Sequence, residues 1–542
     1  MIVDAREIAG DSTVDTDVCI VGGGTAGITL AREWIGRNFR VCLLESGGTE
    51  PDSQTQELAS GDNIGYPYFP LDTARGRLLG GSSHLWHVPI GGERIGARIR
   101  PLDPIDFEER DWVPNSGWPF DKAHLDPFYR RAQAICQVEP ETFEPEEWED
   151  TGKRPQLALR NGDVHTIIYK FVRRDLFARE YPDEVSRAPN IDVYLHANVL
   201  EIDTNDSADR VTNVRVATLR GNEFSVRAKV FILAAGGIEI PRLLLLSKKR
   251  QVHGLGNQHD LVGRYFMEHP HFWSGIFLPA QPNLFQTAAL YNDVHTVNGV
   301  AVIGKLALTE KALRREKLLN QNIQFFWRTV ADPNKYPPTS APGVASLKAL
   351  AEGLLGGDNA ALSRHLGIAL KNLDDVVASV GRKIRERTIG LPEVPAITFA
   401  NMTEQIPNPE SRVLLGQERD RFGQNRVQLN WRITKQDVRS AIRTQEIIGG
   451  ALERAGLGRF FQKLREETPP QNTEGGYHHM GTTRMHADPK RGVVDPDSRV
   501  HGLSNLFIAG PSVFPTGGYA NPVLTIVALS IRLAEHIHKS LN

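Results

Sequence analysis

TDVCIVGGGTAGITLAREWIGRNFRVCLLESGG, residues 16–48, sets two apolar runs on either side of a glycine-rich turn and a helix-forming stretch. Val18 to Val21 predicts a buried strand, the segment through Trp34 a helix, and Arg40 to Leu44 a second strand ending in Glu45. Together they form one βαβ unit. Its glycines, Gly22, Gly24 and Gly27, obey GxGxxG. The first makes the tight turn, the second lets the backbone approach a pyrophosphate, and the third permits close helix-to-strand packing. Glu45 falls where a carboxylate accepts hydrogen bonds from ribose hydroxyls, so the unit predicts dinucleotide binding.

Two distant stretches extend this unit. AKVFILAAGGIEIPRLLLLS (228–247) and SNLFIAGP (504–511) are short apolar runs ending in small residues, like strands whose C-terminal ends leave room for a cofactor. Strands returning to one sheet from three places predict an α/β, Rossmann-like domain assembled discontinuously. No second GxGxxG follows a strand, which disfavours separate FAD and NAD(P)H units. Electrons then come from a small substrate and leave to a small acceptor.

Composition agrees with a folded, two-part protein of 542 residues: 40% hydrophobic, 24% charged, with 49 glycines and 33 prolines. Lys+Arg 63 against Asp+Glu 65 leaves a net charge of -2, too little to recruit nucleic acid or an anionic membrane. The N-terminus carries no basic stretch followed by an apolar one, and no run has the roughly 18 apolar residues of a membrane span, so a soluble, cytoplasmic protein is expected. Cys19, Cys42 and Cys136 lack CxxC spacing, which leaves disulfide, haem and cluster chemistry without ligands.

Near the C-terminus GGYHHMGTTRMH (475–486) packs in three histidines, His478, His479 and His486. No HExxH or carboxylate spacing accompanies them, so no metal site is expected. Further on, Asn521 and Pro522 suit the N-cap and N1 positions of an apolar helix whose amide end favours negative charge, such as that of a reduced flavin. Oxidation of an alcohol by flavin needs a base for the hydroxyl proton and a partner for the oxygen. Imidazole, with a reference pKa of about 6.5, suits the first role, and an amide suits only the second. Asn521 then orients, and His478 or His479 abstracts.

VGGGTAG (21–27), GRLLGGSSHLWH (76–87), AAGGIEIPRLLLL (234–246), LVGRYFMEHPHF (261–272), EQIPNPESRV (404–413), YHHMGTTRM (477–485) and GGYANPVLT (517–525) span the chain. Together they resemble the glucose-methanol-choline (GMC) flavin oxidoreductases, and the His–Asn pair with ANPVLT is most similar to the branch of pyranose oxidases and glycoside 3-oxidases or 3-dehydrogenases. The resemblance implies an HxxGT motif at His478, Gly481 and Thr482, with His478 as base and Asn521 as its partner. It also implies that Gly81, Ser82 and Trp86 run along the flavin and that the backbone of Val199 meets adenine. The full set of expected cofactor contacts is Gly22, Gly24, Thr25, Ala26, Gly27, Glu45, Ser46, Arg77, Gly81, Ser82, Trp86, Val199, Ala235, Gly510, Asn521 and Pro522. Gly510 stands where many relatives carry Asp. Leu85 precedes Trp86 where fungal pyranose oxidases bond a histidine to the flavin, so non-covalent FAD is expected, with attachment through His84 or His87 as the alternative.

Residues 1–105, 186–272 and 470–542 are expected to build the FAD domain, 106–185 a linking and substrate-domain segment, and 273–469 an α+β substrate domain. In that last span NIQFFWRTV (322–330), AITFANMTEQI (396–406) and NRVQLNWRI (425–433) predict an antiparallel sheet over the flavin. Alternation sets Gln324 and Trp327 on opposite faces, and these two with His479 are the candidate substrate contacts. A helical pair at about 343–388, broken at Gly356 and Gly357, either covers the entrance or mediates oligomerisation. His269 and His271 are expected to be structural hydrogen-bonders, Glu404 and Gln405 to fix a sheet edge, and His486 to face solvent. The expected activity is FAD-dependent oxidation of a secondary hydroxyl of a sugar or glycoside, at C2 or C3, to a ketone. Oxygen, a quinone or another soluble acceptor takes the electrons. Oxidation of a non-sugar alcohol is the alternative, and a non-catalytic flavoprotein a third reading.

Overall fold

The computed structural model describes residues 1–150, 153–159, 162–281, 283–330, 394–464, 467–470 and 473–541. The helical pair expected at 343–388 lies outside them.

The opening βαβ unit forms as its pattern dictates, with strands Val18–Val21 and Val41–Leu44 and the helix Thr25–Glu33 between them. Trp34 becomes the residue that ends the helix, and its indole donates to the Ala534 carbonyl at 3.3 Å. Six strands make the first sheet, in the order Ile2–Asp4, Ile191–Leu195, Val41–Leu44, Val18–Val21, Val230–Leu233 and Leu506–Ile508. Every pairing is parallel. Because parallel sheets are covered on both faces, the strands read as unbroken apolar runs, and Cys19 and Cys42 sit side by side in this core as free, buried thiols. Two of the glycines are required sterically: a Cβ on Gly22, whose φ is +110°, would lie 2.7 Å from the Ala234 carbonyl oxygen, and one on Gly27 would lie 2.0 Å from that of Gly22.

A nine-stranded antiparallel sheet stands apart from the first. Its order is Gly458–Gln462, His271–Pro279, Val394–Thr403, Gln321–Val330, Val300–Leu308, Val164–Arg173, Ile95–Ile99 and Val88–Pro89, with His295–Val297 beside Val300–Leu308. The two long expected strands pair along their whole length, from Gln321↔Thr403 to Val330↔Val394. Two expectations change. Val88–Pro89 and Ile95–Ile99, inside the span assigned to the nucleotide unit, join this sheet instead. NRVQLNWRI does not: Asn425–Asn430 pairs with Arg412–Arg419 as a hairpin and with Gly61–Asn63, making a separate three-stranded sheet. The short turn to Arg412–Arg419 captures that strand locally before it can reach the larger sheet.

Strand register sorts the large sheet's side chains into two faces. His271 lies opposite Met402, Met402 opposite Asn322, and Asn322 opposite Ala307, so Gln324, Lys305 and Trp273, each two residues away, share their face. Lys305 is opposite Ile167, and four residues along that strand Phe171 is opposite Arg98, which puts Arg98 on the same face. The other face carries Phe325 and Phe399, stacked with ring centroids 5.4 Å apart, and meets the helix Lys435–Arg454. That helix starts at a capping box in which Asp437 accepts from the Thr434 amide and hydroxyl.

Candidate active site

Between the glycine turn and the large sheet lies a cavity of about 1030 Å³, at the upper end of the roughly 300–1,000 Å³ found for small-molecule sites. All the expected cofactor residues line it except Gly27, whose place in the helix–strand contact explains its absence. The loop from Gly76 to Trp86 crosses the turn closely enough that a Cβ on Gly81 would be 2.9 Å from the Cα of Gly24. A Cβ on Gly24 itself would meet nothing nearer than 3.9 Å. That open side, beside the start of the helix Thr25–Glu33, is where a pyrophosphate fits. The Glu45 carboxylate is buried, accepting from the amides of Gly23 at 2.9 Å and Gly47 at 2.8 Å and from Ser46 Oγ at 3.1 Å. Arg77 reaches Glu239 at 2.8 Å, and Arg75 and Arg242 complete this buried network. The donor set and the open glycine cradle fit an FAD.

At the far end of the cavity stands His478. Nδ2 of Asn521 lies 3.0 Å from its Nε2, and its Nδ1 lies 2.8 Å from Nδ1 of His269, whose Nε2 is 3.4 Å from the Gly517 carbonyl. An amide NH2 only donates and a carbonyl only accepts, so the chain assigns the protons: Asn521 donates to a bare Nε2 of His478, His478 donates from Nδ1 to His269, and His269 donates from Nε2 to Gly517. Burial, then the neighbouring His269, His271, His479 and Arg98, holds His478 well below the ordinary imidazole range, so it is neutral. The helix of Asn521 begins at Val523, one residue later than expected, and Asn521 turns its side chain to His478 rather than capping. Its Oδ1 has no partner among the described residues.

His479 points elsewhere. Its Nε2 is 3.0 Å from the hydroxyl of Tyr68, and that hydroxyl already donates to Glu268, so it can only accept from His479. Both histidines share the cavity wall, and it is the bare Nε2 of His478 that stands beside Asn521. Burial presses His479 down to about 3. His486 is half-buried rather than solvent-facing, its Nδ1 accepting from the Asp488 amide at 2.8 Å.

The sequence reading passed over the support for this histidine. The buried carboxylate of Glu268 accepts from the amides of His478 at 2.9 Å, Gly476 at 2.8 Å and His269 at 2.9 Å, as well as from Tyr68. Burial outweighs these donors and raises it to about 7. Gln405 accepts from the Glu268 amide at 2.9 Å and from the Trp431 indole at 3.0 Å, while Glu404 pairs with buried Arg110 at 2.9 Å. The glycines of GGYHH are needed for this packing: a Cβ on Gly476 would stand 2.6 Å from His478 Nδ1, and one on Gly475 would stand 3.0 Å from the Glu268 carboxylate. Those two glycines beside the histidines, and the acid in MEHPHF, were the available signals.

Among the expected substrate contacts, Gln324 lines the cavity together with Phe326 and Trp273. Trp327 does not, because register turns it to the opposite face, where its indole donates to Asn292 and its ring meets Phe285 with centroids 5.0 Å apart. His271 lines the cavity, and its Nε2 has no partner among the described residues. His84, one candidate for flavin attachment, is held by the Leu79 carbonyl at 2.9 Å, while His87 reaches the cavity wall. Among the described residues no group of acids, histidines and cysteines could hold a metal ion, and no helix is long and apolar enough to cross a membrane.

Comparison with known proteins places this arrangement. Residues 407–530, which include both His478 and Asn521, match the family described as GMC oxidoreductase. The chain is 28% identical to the fructose dehydrogenase large subunit of Gluconobacter japonicus, over 62% of this chain and 52% of that subunit, so it matches about half of that relative's length. It is 35% identical to a C-glycoside 3-oxidase of Arthrobacter globiformis over 126 residues, 23% of either protein. Its fold is similar to the crystal structure of formate oxidase, with a TM-score of 0.55, 18% identity, and 99% of this chain and 100% of that one covered.

Proposed function

We propose that this chain, whose residues 407–530 match the GMC oxidoreductase family, oxidises a secondary hydroxyl of a sugar or glycoside, at C2 or C3, to the ketone with FAD as cofactor. The carrying observation is that His478 and Asn521 meet at 3.0 Å where the nucleotide channel opens under the polar face of the large sheet. Bound FAD supplies the hydride acceptor.

The chain's own residues handle the proton and the oxygen. A substrate hydroxyl that enters between the two side chains receives the Asn521 amide hydrogen on its oxygen and offers its own proton to Nε2 of His478. General-base assistance of this kind contributes about 10²–10⁴-fold. His478 becomes cationic in that step, and its Nδ1 proton is already delivered to His269. Its backbone, together with that of His269, is pinned to Glu268, which fixes the place of both rings. The opposite wall suits a polyol, with Gln324 for hydroxyls and the rings of Trp273 and Phe326, 4.7 Å apart at their centroids, for apolar sugar faces. The names of the fructose dehydrogenase and C-glycoside 3-oxidase relatives support the sugar class. His84 is engaged with the backbone, which supports non-covalent FAD.

The test is a panel of sugars, glycosides and simple secondary alcohols assayed with oxygen and with an artificial dye. Oxidation of sugars to keto-sugars is the expected result. Turnover of the simple alcohols alone would reject the sugar reading, and no anaerobic bleaching of the flavin by any member would reject catalysis.

A further inference from the structure

We propose that the sugar oxidised at this site carries an anionic group, a carboxylate or phosphate, which docks between Arg98 and Lys305 on the sheet face above the cavity. The inference rests on the sugar-oxidising reading and narrows its substrate class.

Arg98 and Lys305 come from strands Ile95–Ile99 and Val300–Leu308, share one face by register, and both line the cavity. Lys305 is 1% exposed within VAVIGKLAL, a strand buried along its whole length. Neither cation takes part in an ion pair or a side-chain hydrogen bond among the described residues, and Arg98 Nε is a buried atom with no partner. The ammonium of Lys305 meets only the ring of Tyr169, 4.5 Å from its centroid. Glu474 also borders the cavity.

Other buried cations of this chain are treated differently. Arg110 has Glu404, Arg75 has Glu239, and Arg242 has both Glu239 and Asp420. Lys170, equally buried, donates to Gln133 Oε1 and the Val138 carbonyl, each at 3.0 Å. A buried charge is retained only where it is paired or hydrogen-bonded. Arg98 is half-buried and keeps its charge without a counter-charge, while burial, then Arg98, presses Lys305 well below the ordinary lysine range. An anion supplied from outside the chain would pair with the guanidinium and restore the proton of Lys305, and the two residues on one cavity wall mark its place. The planar guanidinium matches an oxyanion's two oxygens and the ammonium acts as a point charge beside it. The charge of Arg98 is felt at the base, since it adds to burial in pressing down both His271 and His478.

The flavin-loaded protein, wild type and with Arg98→Gln or Lys305→Gln, is assayed with hexoses against the matching hexuronates and hexose 6-phosphates, by stopped-flow flavin reduction and by calorimetric binding. The expected result is a wild-type preference for a charged sugar, with either substitution lowering the charged-to-neutral ratio of kcat/KM roughly 10- to 100-fold, as loss of a charge-assisted hydrogen bond does. Preference for uronates identifies a carboxylate and preference for 6-phosphates a phosphate. Equal or better use of neutral hexoses by the wild type overturns the inference and leaves sugar oxidation standing. So does a substitution that slows both classes alike or shifts the flavin's reduction potential, because the pair then serves the flavin. Tight binding of a charged sugar without flavin reduction upholds the docking pair and rejects sugar oxidation instead, while absence of binding overturns the inference.

Discussion

Asn521 donates from Nδ2 to Nε2 of His478 across 3.0 Å, so the ring nitrogen facing the cavity carries a lone pair. His478→Ala is expected to slow flavin reduction by about 10²–10⁴-fold with flavin still bound. His479→Gln, which disturbs only the bond to Tyr68, costs much less. Anaerobic stopped-flow reduction of both variants measures the difference, and an equal loss in the two would remove His478 from its role.

In the proposed mechanism His269 acts through His478. It is a positioning residue, because its Nδ1 is the acceptor that keeps the proton of His478 on Nδ1. His269→Phe leaves that buried donor unpaired, a cost of about 1–3 kcal/mol, or roughly 5- to 150-fold in rate if it falls on the transition state. His269→Asn, whose Oδ1 can accept, should recover part of the rate and restore the pH profile of flavin reduction. Indistinguishable Phe and Asn profiles would assign His269 a purely structural role.

Gly476 is predicted to tolerate no side chain. Its Cβ would stand 2.6 Å from His478 Nδ1, forcing the imidazole away from both His269 and Asn521. Misplacement by about 1 Å is enough to lose on the order of 10²-fold in rate. Gly476→Ala should therefore bind flavin and reduce it slowly, and wild-type reduction rates in that variant would contradict the packing described for the loop.

Stability should fall in mild acid. Burial holds His269 at about 4, His271 and His479 at about 3, and His478 well below its usual range. The unfolded chain, with imidazoles near about 6.5, binds more protons than the fold below that pH. These neutral histidines therefore contribute stability that is complete above about pH 6.5 and is lost as pH falls towards their folded values, by about 1.4 kcal/mol per pH unit for each. Glu268, raised to about 7 by burial, works in the opposite sense: its share is present below the ordinary carboxylate pKa and lost as pH rises through about 7. Asp106 and Asp437, which burial also raises, the latter to about 6, act in the same sense as Glu268. With four imidazoles against three carboxyls, the midpoint of urea unfolding should drop from pH 6.5 to 4. A flat profile over that range would contradict neutral, buried imidazoles.

Much of the architecture was legible because it is local. The βαβ unit declares itself through apolar runs whose lengths match strands, glycines at fixed spacing and an acid at the second strand's end. The strand around Phe325 was legible too, since alternation alone puts Gln324 and Trp327 on opposite faces. What it could not say is which face is the inner one, and Trp327 proved to be on the other. NRVQLNWRI read as a third roof strand for a related reason, because β-propensity carries no address for a partner and a nearby hairpin took it.

By itself the sequence determined the nucleotide-binding unit, the family resemblance, and the meeting of a histidine from YHHMGTTRM with the asparagine of ANPVLT. The tertiary structure decided which imidazole meets the asparagine, by tying His479 to Tyr68 and by orienting His478 between His269 and Asn521. It also brought Arg98 and Lys305, 207 positions apart in the chain, onto one wall without a counter-charge. The physical reason is common to both. Proton placement and charge compensation depend on contacts within about 3 Å between residues far apart in the chain, and these are fixed only when the strands find their register.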